Sequence, residues 1–186
     1  GYGAGKRRWM ITINTDARRF KILTPSGELL TVSEKQCGEF HRIFHEKMPK
    51  LRGIYFPAIA AALKRDRMRL RNPFGRERIF TDRYDDALLR DAYAYIPQST
   101  IGDNTKRAML YVRGKKPETR ICIEAHDSFT ALIPLDEQIE YATLFKEAME
   151  LPIDFSHCSI PRGKIIIPAE VKVGIKNLRE MKVWTF

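Results

Sequence analysis

The chain has 186 residues, of which 44% are hydrophobic and 30% charged, a balance typical of a folded globular protein rather than a disordered one. Its formal net charge of +10 predicts attraction to a polyanion, for which nucleic acid and an anionic membrane surface are the usual candidates. No run approaches the ~18 apolar residues that a membrane-spanning helix needs, and the N-terminal sequence is not that of a signal peptide. The 3 cysteines lack CxxC spacing, which predicts free thiols in a reducing, intracellular compartment.

Residues 1–6 are glycine-rich and end in lysine, but they do not form a phosphate-binding loop. Three residues rather than four separate Gly1 from Gly5, and Arg7 stands where that motif requires Ser or Thr. No strand precedes them. A chain that opens inside a glycine-rich turn is expected to be a piece of a longer polypeptide.

Helical patterns dominate as far as about residue 70. Residues 6–19 are compatible with a helix, and residues 20–32 with a hairpin around a Pro-Ser-Gly turn. Ser33 and Gln36 form a predicted capping box that opens a second helix, which ends before Pro49. The apolar stripe predicted for that helix consists of Cys37, Phe40, Phe44 and Met48. A further helix is predicted from Tyr55 to about Arg69.

Two histidines on the second helix allow two interpretations. His41 and His45 are four residues apart and share a helix face, and Cys37 adds a third possible zinc ligand. No fourth ligand and no glutamate base accompany them, so a partly exposed helix face is the favoured interpretation. A zinc site is the alternative.

Helices and strands occur in separate runs after residue 70, which predicts an α+β fold. We expect Pro97 to interrupt a helix that starts at Asp85, with a new helix capped at Ser99 or Thr100. An amphipathic helix is predicted over residues 136–151, with an inner face of Ile139, Leu144, Phe145 and Met149. Residues 165–174 begin with an apolar run and continue with alternating polar and apolar residues, which predicts a strand.

Residues 121–134 predict a β-hairpin whose turn carries His126, Asp127 and Ser128. A carboxylate on so short a turn between buried strands would be rigidly placed, as a metal ligand for phosphoryl transfer must be. The alternative is that Asp127 and Ser128 are ordinary turn residues, which are common there because their side chains bond to the local backbone.

In this order, several motifs resemble the C-terminal part of a family A DNA polymerase of the DNA polymerase I type, closest in character to phage enzymes. The matching segments are Tyr2-Gly3-Ala4-Gly5, residues 33–63, Asn72-Pro73-Phe74-Gly75-Arg76, Ile96-Pro97-Gln98-Ser99-Thr100 with Asp103 and Ala108, His126-Asp127, residues 167–174, and Met181-Lys182-Val183-Trp184. The resemblance covers nearly the whole chain. The individual motifs are common, but their order and spacing are specific.

The resemblance implies a role for each matching residue. Asp127 resembles the second of two catalytic aspartates, which hold two Mg²⁺ ions for nucleotidyl transfer from a dNTP to the primer 3′-hydroxyl. His126 would adjoin the primer terminus. Gln98 and Arg76 resemble contacts to the primer–template duplex, and Tyr2 would form an aromatic platform at the templating base.

The resemblance also implies an architecture and a partner. Residues 1–70 correspond to the C-terminal part of a helical fingers subdomain, and residues 71–186 to the C-terminal part of an antiparallel palm sheet backed by helices. The family's first catalytic aspartate and its triphosphate-binding residues precede this part of the family, so an upstream polymerase segment is the expected partner. The chain alone is expected to be inactive. The cytoplasm of a bacterial or phage-infected host is the expected location.

Ser128 departs from the family pattern, since many members carry Glu after the aspartate. A hydroxyl brings no charge to the metal ions. Two other functions stay open. One is a non-enzymatic, basic nucleic-acid-binding module, which explains the charge but not the ordered motifs. The other is a small metal-dependent nuclease or phosphohydrolase built on His126 and Asp127, which would require further ligands that only His41, His45 and His157 remain to supply.

Overall fold

The computed structural model describes residues 5–175 and 177–185. Within these ranges the protein is mixed α+β, as predicted, with five α-helices and short antiparallel strand pairs. The helices are α1 (Lys6–Phe20), α2 (Glu34–Lys47), α3 (Phe56–Arg65), α4 (Asp86–Lys115) and α5 (Gln138–Met149). The strands are β1 (Arg69–Arg71), β2 (Glu77–Ile79), β3 (Arg120–Ala125), β4 (Ser128–Leu132), β5 (Ile153–Asp154), β6 (Lys164–Ile165), β7 (Lys172–Val173) and β8 (Lys182–Val183).

The strands form four separate two-stranded ladders, β1–β2, β3–β4, β5–β6 and β7–β8, all antiparallel. The prediction of one strand over residues 165–174 is wrong. Strands β6 and β7 occupy the two ends of that segment and pair with different partners. Pro168 lies between them, and a proline has no N–H to donate to a ladder.

The chain divides into two compact units. One contains Gly1–Met68 and Phe80–Ala94, and the other contains Arg69–Ile79 and Tyr95–Phe186. The correspondence of residues 1–70 to fingers and of residues 71–186 to palm stays a prediction. No helix in the described part of the chain is both long and apolar enough to cross a lipid bilayer.

In the first unit, the link between α1 and α2 is held by side-chain hydrogen bonds. The predicted capping box is confirmed, since the N–H of Gln36 donates to Ser33 Oγ at 3.3 Å and the N–H of Ser33 donates to Gln36 Oε1 at 2.9 Å. Asn14 bonds both backbone groups of Val32, at 2.8 and 2.9 Å. The hairpin predicted over residues 20–32 is reduced to one bridge between positions 23 and 29.

The inward face of α2 differs from the predicted stripe. Cys37 is buried, but Phe40 and Met48 are 44% and 49% exposed. Helix α1 places the indole of Trp9 against both His41 and Phe44, with ring centroids 5.8 Å apart in each pair. Because the largest side chain of α1 packs on His41 and Phe44, these two residues are partly buried, whereas two residues of the predicted stripe are exposed.

Helix α4 continues through Pro97, so the predicted interruption is wrong. A proline within a helix cannot donate to the carbonyl four residues earlier, which here belongs to Tyr93. The hydroxyl of Tyr55 donates to that carbonyl at 2.9 Å and replaces the missing bond. The helix tolerates Pro97 because a side chain satisfies the carbonyl that the proline leaves without its helical partner.

In the second unit, α4 and α5 pack around Ala108, Val112 and Ala148, all fully buried. Five partly buried side chains surround this centre: Tyr111, Phe129, Leu144, Phe145 and Met149. Three of the four residues predicted for the inner face of α5 therefore lie against this core. The fourth, Ile139, is 70% exposed, because Tyr141 and Ala142 take the buried positions at that end of the helix.

We predict that the Tyr55→Phe substitution lowers the free energy of unfolding by about 1–2 kcal/mol, because it leaves the Tyr93 carbonyl without a partner. In a Pro97→Ala background the restored N–H can bond that carbonyl, so the same substitution should cost at least about 0.5 kcal/mol less. Denaturant unfolding of the four proteins measures this difference. An equal cost in both backgrounds would contradict this explanation of the continuous helix.

Candidate functional site

The predicted hairpin is confirmed, with His126 and Asp127 as its two turn residues. Ala125 pairs with Ser128 and Glu124 with Phe129, so β3 leads directly into β4. His126 has a φ of 45°, in the left-handed region that two-residue hairpin loops require and that His enters more readily than most residues. The turn therefore fixes the backbone at both residues of the His-Asp pair.

The strands on either side of this turn are less buried than predicted. Strand β3 is exposed along most of its length, and Ile123 is 45% exposed. Strand β4 is partly buried, and its Phe129 packs edge-on against Phe145 of α5 at 5.2 Å between ring centroids. The turn is therefore anchored through Phe129, which lies on one face of β4 two residues after Asp127.

The carboxylate of Asp127 is exposed and, within residues 5–175 and 177–185, it makes no hydrogen bond or ion pair. Its neighbour Ser128 directs its hydroxyl away, to the carbonyl of Ala125 at 3.1 Å. An anionic oxygen ligand without a protein partner fits the preference of Mg²⁺ for carboxylate and water ligands. Asp127 therefore suits the metal-ligand role that the resemblance implies.

A groove of about 610 Å³ runs beside the turn. Asp127 and Ser128 are among its lining residues, and the lining is mostly apolar, with Phe129, Phe145 and Met149. Helix α4 contributes Ile101 and Asn104, and residues 167–174 form another wall. The structure thus places Asp127 among the lining residues of a mainly apolar groove.

Glu150 fastens the wall formed by residues 167–174. Its Oε1 accepts the N–H of Ala169 at 2.9 Å and the ammonium of Lys146 at 2.9 Å, and Lys146 also donates to the Ala169 carbonyl at 3.1 Å. The N–H of Ala169 and then Lys146 lower the pKa of Glu150. At the far end, Gly174 is needed, because a Cβ there would lie 3.0 Å from the Cα of Met181.

The Asn72–Arg76 loop joins β1 to β2 and is organised around the fully buried side chain of Asn72. Its Oδ1 accepts the N–H groups of Phe74 and Arg76, each at 3.0 Å, and its Nδ2 donates to Asp103 of α4 at 2.7 Å. Gly75 has a φ of 85°, which favours glycine. Side-chain hydrogen bonds thus hold the loop closed and tie it to α4.

Arg76, predicted to contact duplex DNA, forms an ion pair within the protein. Its Nε and Nη2 donate to the Asp103 carboxylate at 2.9 and 2.6 Å. Asp103 is 12% exposed, and the hydrogen bond from Arg76 lowers its pKa. The Nη1 group of Arg76, which is not used in this pair, is the part suited to a phosphate.

The remaining predicted residues lie in different settings. Gln98 is exposed on α4, and its amide forms no hydrogen bond with any part of the chain that the structure describes. Tyr2 lies outside the described residues. One groove is lined by Asp127 together with Ile101 and Asn104 of α4. Arg76 instead bonds to Asn72 and Asp103.

The sequence predicted no structural role for three side chains that prove important: Asn72 and Asp103, which were named only as parts of matching segments, and Phe129. Asn72 carried a usable signal, because Asn before Pro and Gly is a turn former whose side chain bonds to the following backbone. Nothing local indicated that Asp103, 31 residues away, would accept its amide. Phe129 was recognised as part of the hairpin but not as its anchor.

Among residues 5–175 and 177–185, no three or more His, Cys, Asp or Glu side chains come together in a group that could hold a metal ion. No protein-family model matches the chain, and no curated protein matches its sequence.

We predict an acid-sensitive contribution of Asp103 to stability. Because the folded-state pKa is lowered, this contribution is complete above the unfolded value of about 3.9 and is lost as the pH falls through the folded-state pKa. Denaturant unfolding from pH 7 to pH 2.5 should show wild type and Asp103→Asn converging below about pH 4. A stability difference that is the same at all these pH values would contradict the assignment.

Proposed function

We propose that the chain forms part of the palm and fingers of a family A DNA polymerase and takes part in template-directed DNA synthesis. The observation that carries this proposal is the Asp127 carboxylate, presented without a protein partner in the described structure on a two-residue hairpin turn. Asp127 lines a groove to which helix α4 also contributes. The His-Asp motif on such a turn matches the family resemblance.

In this proposal Asp127 is a metal ligand. Two bound Mg²⁺ ions supply activation of the primer 3′-hydroxyl and charge stabilisation of the triphosphate. Asp127 provides one of the anionic ligands, and the turn fixes its position, which limits the reorganisation needed on binding. The family's first catalytic aspartate comes, by the same resemblance, from the upstream polymerase segment, which also supplies the triphosphate-binding residues.

The other residues bind and orient the nucleic acid. His126 shares the turn with Asp127 and, by the resemblance, adjoins the primer terminus. The exposed amide of Gln98 has both donors and an acceptor to offer to the duplex. The Nε and Nη2 groups of Arg76 donate to the Asp103 carboxylate. Its Nη1 group can donate to a phosphate oxygen.

The net charge of +10 supports nucleic acid as the partner, and it equally supports the second candidate, a non-enzymatic nucleic-acid-binding module. The two candidate functions differ in whether they require the Asp127 carboxylate. Phosphate contacts by Lys and Arg need neither a metal ion nor this carboxylate, whereas nucleotidyl transfer needs both.

The test is primer extension with dNTPs and Mg²⁺, by the chain alone and by the chain fused behind the preceding palm and fingers segment of a family A polymerase. We expect no extension by the chain alone and extension by the fusion. Asp127→Asn should reduce extension by the fusion at least about a hundredfold, because the metal ions lose an anionic ligand. Asp136→Asn, which changes another exposed carboxylate, is the matched control and should leave the rate unchanged.

Duplex binding by the unfused chain, measured by fluorescence anisotropy across salt concentrations, completes the test. Salt-sensitive binding is expected, and Gln98→Ala should weaken it while Gln138→Ala does not. Extension by the fusion that is indifferent to Asp127→Asn would refute the proposed role. No extension by the fusion, together with binding indifferent to Mg²⁺ and to Asp127→Asn, would favour the binding module.

A further inference from the structure

We propose that His41 and His45 of helix α2 form an open, two-ligand site for a divalent transition-metal ion of the Zn²⁺ type. This site belongs to the first unit and is independent of the proposed DNA synthesis. The two histidines are four residues apart, which places them on one face of the helix one turn from each other.

The spacing of the two imidazoles fits a shared metal ion. Their Nε2 atoms are 3.2 Å apart. A zinc ion binds imidazole nitrogen at about 2.0–2.1 Å, so two nitrogens in a tetrahedral shell stand about 3.3–3.4 Å apart. The backbone of α2 therefore already holds the two donor atoms at nearly the required separation, and the broad χ2 torsion of histidine lets the rings turn towards a common ion.

In the present Nε2–Nε2 contact between two neutral imidazoles, one Nε2 carries the proton and donates it, and the other Nε2 accepts it with its lone pair. A metal ion bound between the rings would take a lone pair from each Nε2. The donating ring would then have to move its proton to Nδ1, whereas the accepting ring already carries its proton there. Nδ1 of His45 is buried and has no hydrogen-bond partner in the described structure, so metal binding breaks no existing bond at that atom.

Aromatic neighbours restrict the two rings and thereby lower the entropic cost of binding. Trp9 packs edge-on against His41 at 5.8 Å, and Phe44 packs edge-on against His45 at 5.3 Å between ring centroids. Both histidines are only partly buried, which leaves an approach for an ion and its water ligands. A restricted pair of donors with solvent access is typical of an open site.

The surroundings predict a site of modest affinity. Cys37 is fully buried one turn earlier and is not included, and water ligands would complete the shell. The carboxylates of Glu39 and Glu46 are both paired with Arg42. Arg52 acts electrostatically on His45 and opposes a bound cation. Removal of the Arg52 charge should therefore strengthen metal binding.

Calorimetric titration of the whole chain with Zn²⁺ tests the site. We expect His41→Gln and His45→Gln each to weaken binding at least about tenfold, and Arg52→Gln to tighten it about twofold or more. His157→Gln removes an exposed histidine in the other unit and should change nothing. Circular dichroism checks that each variant retains its helices.

A second readout uses Trp9, which lies next to the proposed ion. In a Trp184→Phe background, Cu²⁺ should quench the fluorescence of Trp9, and His41→Gln should abolish this quenching. Zn²⁺ binding that survives in both folded glutamine variants would overturn the proposal, and so would Cu²⁺ quenching unchanged by His41→Gln. Absence of Zn²⁺ binding to the wild-type chain at millimolar concentration would overturn it directly.

Discussion

The packing of α4 against α5, with Phe129 of β4 added to the same apolar cluster, is the interaction on which the candidate site depends. Ala108 and Val112 on one helix and Ala148 on the other are fully buried at the centre of this cluster. Phe129 contacts Phe145, and both pack against these buried residues. Because β3 is exposed, this aromatic contact is the nearest apolar anchor for the turn that carries Asp127.

Hydrogen bonds from polar side chains add to the stabilisation that this apolar core provides. Buried or half-buried side chains with several hydrogen bonds fix the irregular segments that the short strand ladders leave unsupported. Asn72 closes the loop between β1 and β2 and joins it to Asp103 of α4. Glu150 holds the segment around Ala169 along the groove. In its described part this unit has only two-stranded ladders, which are marginally stable on their own. These side-chain hydrogen bonds therefore help to fix its conformation, since breaking one would leave a buried polar group without a partner.

The sequence predicted features that depend on neighbouring residues and missed those that depend on distant ones. The Ser33 capping box and the hairpin turn at Asp127 were correct, because a few adjacent residues determine each of them. The interruption at Pro97 was wrong, because the hydroxyl of Tyr55, 38 residues away from Tyr93, satisfies the carbonyl that a proline leaves unbonded. For the same reason the partnership of Arg76 with Asp103 was not foreseen.

The central claim is that the Asp127 carboxylate binds a divalent cation, and paramagnetic relaxation by Mn²⁺ tests it most directly, because this method detects even weak binding. The amide resonances of residues 126–128 would be recorded for the chain bound to primer–template DNA as Mn²⁺ is added. We predict selective broadening at this turn that disappears in Asp127→Asn and persists in Asp136→Asn. Broadening that is absent from the turn, or equal in Asp127→Asn, would contradict the account.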